Sequence, residues 1–538
     1  MIKREMLDKR THNVRLSQII TTYGPGAIID FVDQPLMTAT PREWKKYNTI
    51  HDERLEKVLG VDGFRLHKNS DADSGVPFVR FPRWYFCPKC KKFQPLSVWE
   101  KEYVPPKNGR EFMIQPRCTE CKIQLVSTSV LVACKNGHLD DFPWIAWTHL
   151  KKGEICNSPE LEIVSNSGSL GLEGFKVKCK CGASNTLEGA FKKDAFKMIV
   201  ENDKVNNEIK QKFKCKGKLQ WKGENKECGI FPQAVLRNAS NIYFPKIESS
   251  IVIPPYSDEI NSLIEDSEKF KSLIDAKNIH EKMGLLEQFE SQFLNVYINE
   301  IAKEIRKEES IYVIDKIIRR KLDNNSGDCE NSRNAYRFEE YNALLGNIHS
   351  ESFNSRDFKV EIKNGAEYKI KEISSVTFVK RLREVRALVG FTRLEPPEHY
   401  IIGTEAAASN VKLVSIKDEE DRWYPAYEVR GEGIFIELNS KLIDHWIENN
   451  PRIIEHALIL ETRYNEEKKD EVKRAITPKF ILLHTLTHIL IRELSFECGY
   501  SATSLRERIY CDLPGESDLM SGILIYTADS DSEGSLGG

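Results

Sequence analysis

Residues 81–144 read FPRWYFCPKCKKFQPLSVWEKEYVPPKNGREFMIQPRCTECKIQLVSTSVLVACKNGHLDDFPW. Two Cys-x-x-Cys pairs, Cys87/Cys90 and Cys118/Cys121, sit where tight turns end short strands: Trp-Tyr-Phe leads into the first and Ile-Gln-Leu-Val follows the second. Two thiolates separated by two residues can hold one ion from a single turn. A hairpin that joins two such turns closes a tetrahedral sulfur site around Zn2+. The stretch predicts a zinc ribbon, a closed structural site with no open coordination position. The hydrophilic insert at 101–110, with Pro105-Pro106 and Asn108-Gly109, reads as the hairpin tip.

Outward from this stretch, the chain of 538 residues is long enough for several domains with a large core. The fold class expected is α+β and multidomain. An N-terminal segment (1–80) precedes the ribbon (81–150), a second Cys-rich basic module (151–250), a helical region (251–335) and a C-terminal mixed α/β domain (336–538). A formal net charge of −2 supplies no global field for nucleic acid. The charge is nonetheless uneven, since residues 81–250 carry 28 Lys and Arg against 18 Asp and Glu. That local excess is the kind that gathers phosphates. The chain has 13 cysteines, mostly in knuckle-like spacing, and its start, MIKREMLDKRTHNVRLSQ, lacks the apolar segment of a secretory signal. Cysteines of this kind bind metal more often than they form disulfides. With no apolar run long enough to cross a bilayer, the reading is a cytoplasmic protein without membrane contact.

Beyond the ribbon, Cys179 and Cys181 form a Cys-x-Cys pair followed at a distance by Cys215 and Cys228, and these four predict a second zinc site. Cys134 or Cys156 can replace one of them. The surrounding KVKCKCG and KFKCKGKLQWKG alternate lysine with apolar residues, as an exposed strand with a cationic face does. Lys212, Lys214, Lys216 and Lys218 are accordingly the candidate DNA-binding residues. The run Cys134-Lys-Asn-Gly-His138-Leu-Asp140-Asp141 offers metal ligands or a hydrolytic site, but reads better as a turn whose acids cap the helix WIAWTHL. Tyr23-Gly24-Pro25-Gly26 reads as a packed turn, because the G-x-x-x-x-G-K-[ST] phosphate loop occurs nowhere in the chain. Nucleotide hydrolysis is therefore not expected of this chain alone.

Residues 256–322 repeat apolar positions at intervals of three and four, predicting a helical hairpin or small bundle. Residues 323–334 read as a loop that carries Cys329, an exposed thiol, and Asn364-Gly365 suggests a tight hairpin. In the C-terminal third, IIGTEA and GIFIEL read as strands. Helices are expected over 440–464 and from Pro478, with Thr477 as N-cap. His484 and His488 face one way on that last helix, but Thr485 stands where a metalloprotease helix has its Glu. Two core or interface histidines are the plainer reading. The acidic tail with Asp529, Asp531 and Glu533 reads as solvated.

Several segments together resemble one family, the DrmB subunits of DISARM anti-phage defence systems. They are RLSQIITTYGPGAIIDF (15–31), ACKNGHLDDFPW (133–144), RLREVRALVGFTR (381–393), GEGIFIEL (431–438) and HTLTHILIRELSFECGYSATSLRERIY (484–510). The last, with ILIYTADSDSEGSLGG, is similar to a helicase-associated domain of unknown function that elsewhere is fused to superfamily-two helicases. The resemblance implies work beside a separate helicase-like ATPase, DrmA, in a complex that engages phage DNA, and carries no catalytic residues onto this chain. Family members usually run on past this Gly-Gly motif, so the resemblance implies a truncation or a short variant at Gly537-Gly538. The leading expectation is a non-catalytic accessory subunit. The alternatives are a metal-dependent hydrolase acting on nucleic acid, built on His138/Asp140/Asp141 or His484/His488, and a scaffold that never touches DNA.

Overall fold

The computed structural model describes residues 14–32, 34–68, 75–104, 113, 115–165, 175–257, 259–307, 310–322, 329–347, 355, 357–397, 412–467, 475–501, 504–512 and 519–527. The architecture is α+β, with several sheets, helices between them and Cys-rich clusters at sheet ends. Its frame is a nine-stranded sheet built on two long neighbours, Ile373–Thr392 and Trp423–Leu438. Phe244–Ile251 and Lys359–Asn364 pair antiparallel with the first; Ser521–Thr527 pairs with the second and Leu505–Cys511 with Ser521–Thr527. Gly63–His67 joins in parallel.

The Ile373–Thr392 strand is apolar on both faces, because both faces are covered. Leu388 and Phe391 enter the largest core, whereas Val385, Ala387 and Val389 pack with Ile50, Leu55 and Phe64 in another. Two of its charged residues are buried and paired, Arg383 with Glu428 and Asp357 and Glu384 with Arg508, whereas Lys380 and Arg381 are exposed. The largest core takes Ile19, Leu131, Val235, Leu388 and Tyr526 together, and so crosses the segment boundaries read from the sequence.

Between them, the cysteine-bearing segments build a six-stranded sheet (order Ser184–Thr186, Phe175–Cys179, Leu161–Ser165, Lys92–Pro95, Trp84–Phe86, Val126–Ser127) and a three-stranded one. In the latter, Val130–Ala133 lies between Leu139–Asp141 and Gln233–Leu236. Side chains of a strand alternate in direction. Leu131 and Ala133 therefore face the largest core while Val130 and Val132 face an aromatic one with Phe142, Trp144, Trp147, Phe196 and Phe213. The strand thus welds the Cys-rich part to the frame and ends at Cys134.

The helical region is present as Glu259–Asp266, Glu268–Lys282, Leu286–Gln292, Leu294–Glu304 and Ile311–Leu322, around Phe270, Leu273, Ile298, Ile301 and Ile314. Thr477 caps Pro478–Cys498 by accepting from the Phe480 N–H, as expected. Asn364-Gly365 is not a two-residue turn: a 3-10 turn, Gly365–Tyr368, lengthens the loop, and Asn364 accepts from the Ala366 N–H. The loop read at 323–334 gives way to a helix, Cys329–Leu344. Of the 101–110 hairpin tip, Lys101 ends a helix, Leu96–Lys101, and residues 105–110 lie outside the described residues, as do IIGTEA and the acidic tail. Among the described residues no helix is long and apolar enough to cross a membrane.

Candidate metal centres

Three clusters of four soft ligands form in the Cys-rich part, each with its ligand atoms within 4.8 Å of one another. In a tetrahedral zinc site, bond lengths of about 2.3 Å for sulfur and about 2.0 Å for nitrogen put sulfurs about 3.8 Å apart and sulfur about 3.5 Å from nitrogen. Those separations decide whether a cluster can close on one ion.

The first cluster is Cys87, Cys90, Cys118 and Cys121, with Cys90 Sγ 3.8 Å from Cys118 Sγ. Its two turns are near copies. The Cys87 and Cys118 carbonyls accept from Lys91 and Lys122 at 2.9 Å, and both lysines are left-handed (φ 67° and 57°). In each turn the second cysteine's N–H points at the first one's sulfur and stabilises a thiolate there.

The second cluster is Cys134, His138, Cys215 and Cys228. Cys134 Sγ lies 3.6 Å from Cys215 Sγ, 3.9 Å from Cys228 Sγ and 3.4 Å from His138 Nδ1. The Cys215 thiol donates to Cys134, and that bond draws the Cys134 thiol down to about 4 and pushes the Cys215 thiol up. Gly137 makes the Cys-x-x-x-His turn possible. Its φ of 79° is left-handed, and a Cβ there would stand 2.0 Å from Val414 Cγ2. Gly217 does the same for the Cys215 turn, since a Cβ would meet the Lys226 carbonyl oxygen at 1.4 Å.

The third cluster is His149, Cys156, Cys179 and Cys181. His149 is fully buried, and its Nδ1–H donates to the Ile145 carbonyl at 2.8 Å. That bond fixes the tautomer and presents a bare Nε2 to Cys181 Sγ, 3.3 Å away. Cys156 and Cys179 sulfurs stand 3.7 Å apart. The Ala183 N–H aimed at the Cys181 sulfur draws that thiol down to about 6.

In each cluster the ligand pairs given above lie near the tetrahedral separations, and thiolate and thiolate–imidazole sets are compatible with zinc. Cys179, Cys181, Cys215 and Cys228 do not share one site: the first two join His149 and Cys156, the last two join Cys134 and His138. Cys179 ends a strand of the six-stranded sheet, whereas Cys215 and Cys228 flank a small hairpin, Lys218–Leu219 with Glu224–Asn225, tied to Asp140 by the Lys218 ion pair at 2.8 Å. His138 and His149 are the ligands that the cysteine spacing leaves out. A C-x-x-x-H spacing is the available signal for the first; nothing in the spacing marks the second. Nor do the acids cap WIAWTHL: Asp140 and Asp141 lie in a strand, and Trp144–His149 has Pro143 at its N-cap. Asp141 instead accepts the Arg83 N–H at 3.0 Å, and burial holds its carboxyl up at about 6.

The four candidate lysines do not form one strand. Lys212 closes the helix Asn207–Lys212, Lys214 and Lys216 follow in a loop and Lys218 is in the hairpin. Lys216 and Lys218 pair with Asp140. Lys212 and Lys214 are exposed and have no ion pair among the described residues.

Arg393 joins these parts to the N-terminal turn. Although only 1% exposed, its guanidinium donates to three carbonyls: Gly26 of the Gly-Pro-Gly turn at 2.8 Å, Gly137 at 2.9 Å and Ile242 at 2.5 Å. The segments around Gly26, Gly137 and Arg393, far apart in the sequence, meet on one side chain.

Residues 15–244, which include all three clusters, match a family described as "Domain of unknown function (DUF8724)". The chain is also 30% identical over 521 residues to the DISARM protein DrmB of Bacillus paralicheniformis, a match covering 95% of this chain and 85% of the relative. Agreement at that level over almost the whole length goes beyond a shared cysteine pattern, and the chain belongs to the DrmB family of DISARM proteins.

Proposed function

We propose that this chain is a non-catalytic accessory subunit of a cytoplasmic DISARM anti-phage complex, which partners a helicase-like ATPase of the DrmA type and helps hold invading DNA. The observation that carries the DNA part of this reading is the placement of Lys212 and Lys214, exposed and unpaired among the described residues, beside the Cys134/His138/Cys215/Cys228 cluster. A zinc ion in each of the three clusters is structural. Four protein ligands leave no open position for substrate, and each ion ties together turns from separate stretches of the chain. Asp140 orders the lysines next to that cluster rather than serving chemistry, since Lys216 and Lys218 already neutralise it.

The alternative of a hydrolase built on His138, Asp140 and Asp141 is less well supported, because His138 is one of four ligands in a closed set. The scaffold alternative differs from the proposal only in DNA contact. Membership of a DISARM family supports the partner. The test is co-expression with the neighbouring helicase-like ATPase, followed by ATPase assays on each protein and on the pair, with and without DNA. The proposal expects a chain inert alone that co-purifies with the ATPase and alters its turnover or DNA affinity. Two proteins that purify apart, or DNA cleavage by this chain alone, would overturn it.

A further inference from the structure

A fourth group of ligands lies far along the chain from the cysteines, where the helix Pro478–Cys498 packs on the strand Leu505–Cys511. His484 and His488 are one turn apart on the helix, so both rings leave the same face. Their Nε2 atoms approach to 2.9 Å. Glu507 meets them from the strand, its Oε1 3.5 Å from His484 Nε2 and 3.8 Å from His488 Nε2. Alternation along the strand explains why Glu507 is there. Ile509 and Cys511 point to the helix and pack with Leu483, and Glu507 shares their side, whereas Arg508 points to the buried network behind.

We infer that His484, His488 and Glu507 form a further, open site for a divalent transition-metal ion. Metal–nitrogen bonds of about 2.0–2.1 Å put neighbouring ligand atoms roughly 2.9–3.4 Å apart, from right-angled to tetrahedral geometry. The histidine pair falls in that range, and Glu507 needs only a small side-chain rotation to do so. A second observation is independent of these distances. The other carboxylate oxygen, Glu507 Oε2, is buried without a hydrogen-bond partner among the described residues, an arrangement that is costly for a carboxylate and that a bound cation relieves. Phe480 stacks on His484 at 5.5 Å between ring centroids and holds that imidazole in place. Unlike the cysteine clusters, this set has three protein ligands, and three leave coordination positions open. A groove of about 430 Å3, lined by Arg463, Tyr464, Phe480 and His484, runs beside it and gives an incoming ligand room to reach the ion.

The test uses the full-length chain with its cysteine clusters loaded with zinc, and Co2+ as the probe. Imidazole–carboxylate and thiolate complexes of Co2+ absorb differently, so the spectrum reports which site has filled. The wild-type protein is expected to take up one equivalent of Co2+ without displacing zinc and without thiolate absorption. The double variant His484→Ala/His488→Ala loses that uptake, Glu507→Gln weakens it and His456→Ala, an exposed histidine on another helix, leaves it unchanged. Unchanged zinc content in each variant shows that the fold survives. Failure of the wild type to bind the extra equivalent, uptake only with thiolate bands, or full uptake by the double variant would overturn the site.

Discussion

The Arg393 guanidinium donates to the Gly137 carbonyl oxygen at 2.9 Å, inside the turn that places His138 against Cys134. Burial draws Arg393 down to about 10, and its hydrogen-bond partners are carbonyls rather than a carboxylate. Tyr243 and Cys134 act in the opposite direction without outweighing burial. A metal turn, the Gly-Pro-Gly turn and the long central strand are thereby held by one planar cation, a geometry that a lysine ammonium does not reproduce.

Arg393→Met is expected to lower stability by on the order of 3–5 kcal/mol, because three buried carbonyls lose a charged donor. Arg393→Lys should recover only a minority of the loss. Urea unfolding at constant zinc measures both; equal stability of Arg393→Lys and wild type would remove the three-way anchor.

Zinc content separates the cluster assignment from the one the spacing suggested. Cys179→Ser and Cys215→Ser should each cost one equivalent, and the double variant two, because the residues lie in different clusters. If all four cysteines shared one site, the double variant would lose no more than either single one. Mass spectrometry of the purified proteins reads the difference.

Acid should unfold the protein partly through Glu340. Its carboxylate is fully buried and accepts from Arg508 at 2.8 and 3.0 Å and from the Tyr510 hydroxyl at 3.1 Å. Burial alone would raise it, but the Arg508, Arg54 and Arg337 guanidiniums outweigh that and hold it below its ordinary 4.5. A depressed carboxyl contributes stability that is complete above the unfolded value and disappears as pH falls through the folded one. Glu340→Gln should therefore cost about 3–5 kcal/mol at pH 7 and flatten the decline of stability below pH 4.5. A parallel decline in both proteins would contradict this.

Much of this architecture was legible. The period of three to four in 256–322 marks its helices because each has one apolar stripe, and Thr477-Pro478 marks a helix start by capping chemistry alone. The ribbon cysteines were legible as a unit because each pair closes its own tight turn with the same two-residue spacing. The other two clusters were not, because their ligands are gathered by tertiary packing: His149 looks like any residue at a helix end, and Cys215 meets the distant Cys134 where the Asp140–Lys218 pair ties the hairpin down. Arg383 and Glu384 in a strand that is covered on both faces were equally opaque, since their burial depends on Asp357, Glu428 and Arg508, distant in sequence. Glu507 became a candidate ligand only when the strand carrying it was seen against His484.

The central claim, a DNA-holding accessory subunit, is tested most directly by the salt dependence of DNA binding to the co-purified pair, with wild-type chain or with Lys212→Glu/Lys214→Glu. If both lysines meet phosphates, the variant should bind all sequences more weakly, and the slope of log affinity against log salt should fall by about two. Identical slopes and affinities for the two complexes would show that DNA is not held at this surface and would contradict the account.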